Sequence, residues 1–255
     1  MLDRLLAILQ TCGTRESLLQ PTQLFNEGWM LRLVLDWFSR QPADSHPLSF
    51  GPGARWFSEA LLPLPFLARW RGDKLAESYT HADGAIGHFQ IGGSGKGDLV
   101  LSANGTQLVV IEAKLFSALS HGVTNAPYFD QAARSVACIA EVLERAGWRD
   151  TERSSLGFYV IAPESQIDRG VFTQEVDRAG MLAKVRRRVA GYQGEKDRWF
   201  RESFLSAFER TNVDCLSWES ILGQIEGKDP VSARSLRDFY RHCLKFNQPH
   251  GPIQP

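Results

Sequence analysis

Apolar and polar residues sort most sharply between positions 97 and 114. Two β-rich apolar runs, Leu99-Val100-Leu101 and Leu108-Val109-Val110-Ile111, flank Asn104-Gly105. Charge stands only at the far ends of the pair, Asp98 before the first run and Glu112 and Lys114 closing the second. Asn-Gly between such runs is a strong hairpin signal. Strand alternation puts Glu112 and Lys114 on one face with Leu108 and Val110, and Val109, Ile111 and Ala113 on the other. Where Asp98 falls depends on register, because a slip of one residue turns a whole strand over. A two-residue loop of Asn104 and Gly105 sets Asp98 against Ile111. A three-residue loop, Asn104-Gly105-Thr106 with Gly105 at the positive-φ position, sets Asp98 opposite Glu112, and this is the register expected.

The rest of the chain reads as alternating elements. A short helical pattern occupies residues 2–10. A helix through 24–38 lines up Leu24, Leu31, Val34 and Phe38 on the side of Glu27, while Asp36 falls with Arg32 and Arg40. Residues 54–62 read as a short helix closed by Pro63 and Pro65. Residues 75–91 read as a strand, a bend at Asp83-Gly84 and Gly87, and a second strand, followed by a glycine-rich turn into Asp98; Asp83 is taken to shape the bend. A helix is expected over 128–146, with Ala132, Ala133, Val136, Ala140 and Leu143 as its inward face. The run 156–162, continuous, apolar and ending at Pro163, marks a buried central strand, and 213–218 marks another. Helices near 174–192 and 199–209 lie between them, and a further helix starts at Glu219. The order implies one α/β (α+β) domain, a mixed sheet flanked by helices.

Composition narrows the classes. The 255-residue chain has 29 basic and 29 acidic residues and a formal charge of zero. A uniformly basic surface is excluded, so any nucleic-acid contact must be local. Cys12, Cys138, Cys215 and Cys243 are scattered without a Cys-x-x-Cys pair, and read as reduced, mostly packed thiols in a cytoplasmic protein. Asp3 argues against a signal peptide, and Pro63 and Pro65 break the longest apolar stretch, so no membrane span is expected. Residues 248–255 read as a loose tail.

In the three-residue register two carboxylates stand about 5 Å apart at Cβ, with an ammonium one pleat away. Like charges that close need a cation, and a hard divalent ion with oxygen ligands, Mg²⁺ or Mn²⁺, suits them. Gly97-Asp98 followed by Ile111-Glu112-Ala113-Lys114 resembles the PD-(D/E)xK phosphodiesterase superfamily, the restriction-endonuclease-like fold. The resemblance implies an αβββαβ core over about residues 24–218, helical additions before it and over 219–247, and Asp98, Glu112 and the Ala113 carbonyl as metal ligands. Lys114 would support the attacking water. The first motif reads Gly-Asp where the family commonly has Pro-Asp. Many members carry a glutamate on the first core helix, a role that falls here to Glu27. A carboxylate in an apolar stripe needs a partner or a metal; the alternative is a first-turn glutamate favoured by the helix dipole and capped by Asn26.

Weaker candidates surround this set. Tyr128, Gln131 and Arg134, at i, i+3 and i+6, could line the mouth of a site; the Gln-x-x-x-Tyr of the RecB-like branch is not met, since Ser135 follows Gln131 at the fourth position. Lys96 could meet a phosphate from the glycine-rich turn, although the phosphate-loop signature is missing. Lys184, Arg186, Arg187 and Arg188 could hold a nucleic-acid backbone, against the default of a solvated helical face. Arg69-Trp70-Arg71 could touch phosphates or bases, against a loop packed by its tryptophan. The function implied is a metal-dependent nuclease acting on nucleic acid, DNA ahead of RNA. By the family's habits it would serve prokaryotic restriction or antiphage defence as a homodimer, with protein partners supplying targeting or regulation. The alternative is a non-catalytic nucleic-acid-binding or assembly subunit that keeps the fold.

Overall fold

A computed structural model describes residues 1–77, 80–92, 97–122, 125–148 and 155–248. Lys96 and all of the expected tail beyond Gln248 lie outside them. The chain runs through α1 (Leu2–Gln10), α2 (Pro21–Leu24), α3 (Glu27–Ser39), β1 (Arg55–Leu62), β2 (Thr80–Gly87), β3 (Phe89–Ile91), β4 (Leu99–Leu101) and β5 (Gln107–Ala113). It continues with α4 (Gln131–Arg145), β6 (Ser155–Ala162), α5 (Glu164–Asp168), α6 (Arg178–Ala190) and α7 (Asp197–Trp199). A π-helical turn (Phe200–Phe204), α8 (Leu205–Arg210), β7 (Thr211–Ser217), α9 (Trp218–Lys228) and α10 (Pro230–Asn247) complete it.

The sheet order is β1-β2-β5-β6-β7. β1, β2 and β5 are antiparallel, and β5, β6 and β7 parallel. The mixed sheet flanked by helices expected from the sequence is therefore present; it has five strands, with helices on both faces. Leu108, Val110, Phe158 and Val160 pack towards α4 and α6. Val109, Ile111, Ala113 and Ile161 pack towards α3, α9 and α10. β5 is buried along its whole length because it is central, with partners on both edges.

Two sequence expectations give way to tertiary pairing. The Asn104-Gly105 hairpin does not form: β4 turns back onto β3, with Phe89 against Leu101 and Ile91 against Leu99, while β5 pairs with β2 and β6. The buried run 107–113 needs a strand on each side, which the short 99–101 run cannot supply. Residues 55–62, expected as a helix, form edge strand β1, paired with β2 from Arg55↔Gly87 to Leu62↔Thr80. Alanine and leucine favour a helix locally, but a long ladder overrides that preference. Glu59 interrupts this strand with a φ of 56°, in the left-handed region, and from there Leu61 N–H reaches Gly97 O at 2.8 Å.

Candidate metal and phosphoryl-transfer site

The arrangement begins where the β2–β5 ladder stops. Its last paired rung is Gly84↔Ile111, and one rung further Asp83 faces Glu112. There the Asp83 Oδ2 accepts the Ala113 N–H at 2.8 Å, in place of a backbone carbonyl. Gly84 points the other way, against Leu31 and Leu35 of α3: a Cβ there would come within 2.9 Å of Leu31. Glycine lets α3 pack onto β2 and leaves Asp83 on the α4 side, the side Glu112 shares with Leu108 and Val110. The acid facing Glu112 is thus Asp83, which the sequence reading gave to a bend that β2 in fact runs straight through.

Glu112 is fully buried, and neither carboxylate oxygen has a hydrogen-bond partner of ordinary geometry among the described residues. Lys114 Nζ stands 3.7 Å from its Oε2, with 14% of the lysine side chain exposed. Burial, and then the Asp83 carboxylate, hold the Glu112 carboxyl well above its ordinary range, more than Lys114 and Gln131 pull it down. Gln131, first residue of α4, brings its amide to Glu112; its Oε1 accepts Ser120 N–H at 3.1 Å, which leaves the NH₂ end for the carboxylate. The Lys114 backbone is held from both sides, by N–H to Ile161 O at 2.8 Å and by the Trp218 indole N–H to Lys114 O at 3.0 Å. Nothing in the sequence pointed to Trp218; Asp83-Gly84 within Ala82 to Ile86 was the available signal for a strand aspartate beside a helix contact.

The other expected site residues fall elsewhere. Asp98 bridges Leu61 on the outer edge of β1. β1 and β2 separate it from Glu112, three strand spacings or about 14 Å. The three-residue register that would have joined them is corrected with the missing hairpin. Glu27 stands in the first turn of α3, on the opposite face from α4; Asn26 caps that helix by accepting Trp29 N–H at 2.9 Å, and the neighbour of Glu27 is Cys243 of α10. That is the first-turn alternative, not the metal one.

Arg134 reaches Glu77, with Nε 3.7 Å from Oε2, and Tyr128 lies under Arg187, whose guanidinium is 3.9 Å from the ring centre. The basic cluster does not form one patch. Lys184 bonds the α4 cap residue Asp130 at 2.6 Å, and Arg188 is buried against Glu77 at 2.8 Å. Arg186 lies over Phe200, and only Arg186 and Arg187 of the four are exposed.

The donor set suits a small hard cation. Asp83, Glu112 and the Ala113 carbonyl offer oxygen donors, and magnesium commonly takes one or two carboxylates and keeps several waters. Among the described residues no group of three or more His, Cys, Asp or Glu is arranged to hold a metal, so protein would supply only part of the shell. Also among them, no helix is long and apolar enough to cross a membrane. Comparison with protein-family models, with curated proteins and with solved structures finds no match to this chain.

Proposed function

We propose that this chain is a metal-dependent nuclease that hydrolyses phosphodiester bonds of nucleic acid, DNA ahead of RNA. The observation that carries the reading is Glu112, a fully buried carboxylate with no hydrogen bond of ordinary geometry among the described residues, set against a second carboxylate and within 3.7 Å of a lysine ammonium. A fully buried acid set against a second, half-buried carboxylate is costly, and sites of chemistry are where such costs are retained. The succession α3, β1, β2, β5, α4, β6 supports reading the fold as restriction-endonuclease-like. In that reading Asp83 occupies the first-motif position, and Glu112-Ala113-Lys114 the second.

Asp83, Glu112 and the Ala113 carbonyl would hold Mg²⁺, with Mn²⁺ as a substitute. Bound there, the metal supplies positive charge to the phosphate oxygens and acidity to a water. Lys114 would orient the attacking water by donating an N–H to its oxygen; that oxygen bonds phosphorus as the ester P–O bond breaks, and the water proton passes to solvent. Gln131 fixes the rotation of the Glu112 carboxylate. Trp218 fixes the Lys114 backbone, and so the origin of the lysine side chain.

The test is cleavage of plasmid and of single strands by the purified protein in Mg²⁺, Mn²⁺ and EDTA, beside Lys114→Ala and Asp83→Ala proteins of verified folding. Metal-dependent cleavage lost in both variants establishes the reaction and its site. Activity that survives both overturns the site, and a parent that binds nucleic acid without cutting it gives the chain to a binding or assembly role.

A further inference from the structure

The loop 66–77 is built like a platform. Glu77 N–H closes it onto Phe66 O at 2.9 Å, and Phe66 is buried against Phe129, Tyr192 and Trp199. Inside, the buried Asp73 carboxylate accepts Arg69 Nε at 2.8 Å, Arg69 N–H at 3.2 Å and Leu75 N–H at 3.0 Å. Arg188 and Tyr192 of the neighbouring helical segment both donate to Leu75 O. Yet this anchored loop leaves its one tryptophan outside: Trp70 is 58% exposed. The Arg69 guanidinium lies between two rings, 4.3 Å from the centre of Trp70 and 4.5 Å from that of Tyr192. Arg69 therefore backs one side of the indole and leaves the other to solvent.

A tryptophan packed to stabilise its loop would be buried. One stacked on a pinned arginine and left open has lost its rotamer freedom in advance, as a stacking platform requires. Cations accompany it: Arg71 and Lys74 are exposed on the same loop, and Arg187 is exposed above Tyr128. The loop also adjoins the carboxylates. Its closing residue, Glu77, meets Arg134 one helical turn from Gln131, and Asn125 of the segment leading into α4 donates to Lys74 O. The site is recessed, with Glu112 fully buried, Asp83 half-buried and the Lys114 side chain 14% exposed. A phosphate must descend to them, which a flexible strand does more readily than a stiff duplex, and only an unpaired base offers its face to an indole.

We infer that Trp70, backed by Arg69 and flanked by Arg71 and Lys74, stacks an unpaired base at the mouth of the site, so that the preferred substrate is single-stranded nucleic acid. The choice of site rests on the nuclease reading above; the platform itself does not require cleavage. The test is fluorescence anisotropy in EDTA, where no metal-dependent cutting occurs, with a labelled 12-nucleotide DNA strand, the RNA of the same sequence and the blunt DNA duplex. The single strands are expected to bind at least tenfold tighter than the duplex. Trp70→Ala is expected to weaken them about tenfold, equivalent to about 1.4 kcal/mol, Trp70→Phe to restore most of the loss, and duplex binding to change little. The two single strands distinguish DNA from RNA as the source of the bases.

Duplex bound as tightly as single strand, single-strand binding indifferent to Trp70→Ala, or no binding at all overturns the platform. Trp70-dependent binding without metal-dependent cleavage leaves the platform and removes the nuclease. Cleavage lost in Lys114→Ala with binding indifferent to Trp70 does the reverse.

Discussion

Glu112 and Glu77 are carboxylates taken out of water against the same helix, one turn apart along α4, where Gln131 meets the first and Arg134 the second. Burial raises both carboxyls above their ordinary range. The next largest influence separates them. For Glu77 it is the Arg188 guanidinium at 2.8 Å, which favours the charged form; for Glu112 it is the Asp83 carboxylate, which opposes it. Glu77 has two guanidiniums beside its one carboxylate, and Glu112 has a second carboxylate and one ammonium. The first joins α4, α6 and the loop before β2 into one body. The second stores an electrostatic deficit that a cation would relieve.

If that contrast is right, the largest effects on chemistry fall on the Glu112 side. Lys114→Ala and Asp83→Asn are each expected to lower the cleavage rate about 10²- to 10⁴-fold, measured as single-turnover cleavage in saturating Mg²⁺, with thermal melting within a few degrees of the parent. Arg134→Lys, at the other acid, is expected to leave the rate within about threefold, since Arg188 remains to hold Glu77. A hundredfold loss there would erase the distinction between the two clusters.

On the Glu77 side the large effect is on folding. Glu77→Ala leaves the Arg188 guanidinium buried without its carboxylate, and removing one partner of a buried pair costs about 3–5 kcal/mol. Urea unfolding should show it as a lower midpoint with little change in slope. A cost below about 1 kcal/mol would mean that Arg188 is sufficiently held by Leu75 O and the rings of Phe66 and Tyr192 alone.

Glu112 should behave in the opposite sense. Its folded-state carboxyl titrates above the ordinary 4.5, so the folded protein keeps a proton that the unfolded chain has already released. Stability therefore falls as pH rises from about 4.5 through the raised folded value. Glu112→Gln carries no such proton. Without metal, the variant should match the parent at low pH and be the more stable of the two at neutral pH, read as the difference between the two urea curves across that window. Mg²⁺ should raise the melting temperature of the parent at neutral pH and leave that of Glu112→Gln unchanged.

How much of this was legible in the sequence follows from how local each decision is. The apolar runs 107–113 and 156–162 announced the central strands because a strand buried on both faces has little polar content to confuse the reading. Glu112 and Lys114 followed by alternation along one strand. Asp98 did not, because its place depended on which strand pairs with which, and that is settled by the whole sheet. Asn104-Gly105 is a local turn signal that was outcompeted: β4 pairs with β3 although the connection to β5 is the shorter one, because β5 is taken up by β2 and β6. Asp83 was hidden by the same ambiguity: Asp-Gly is bend chemistry in isolation, and becomes strand chemistry only once α3 needs a gap at Gly84 for Leu31 and Leu35.

The smallest expected effect is the one that separates the two aspartates. Asp98 lies beyond edge strand β1, in a 120 Å³ cavity with Leu61, Val142 and Arg145, while Asp83 faces Glu112. Asp98→Asn keeps the shape of the side chain and removes only its charge. About 14 Å of intervening strand and a Debye length of about 8–10 Å leave that charge little influence on Glu112. Cleavage should stay within about twofold of the parent, while the same Asp→Asn exchange at position 83 removes activity. A loss at Asp98 comparable to that at Asp83 would restore the hairpin register and dismantle the site built on β2, so the pair of variants tests the topology as well as the chemistry.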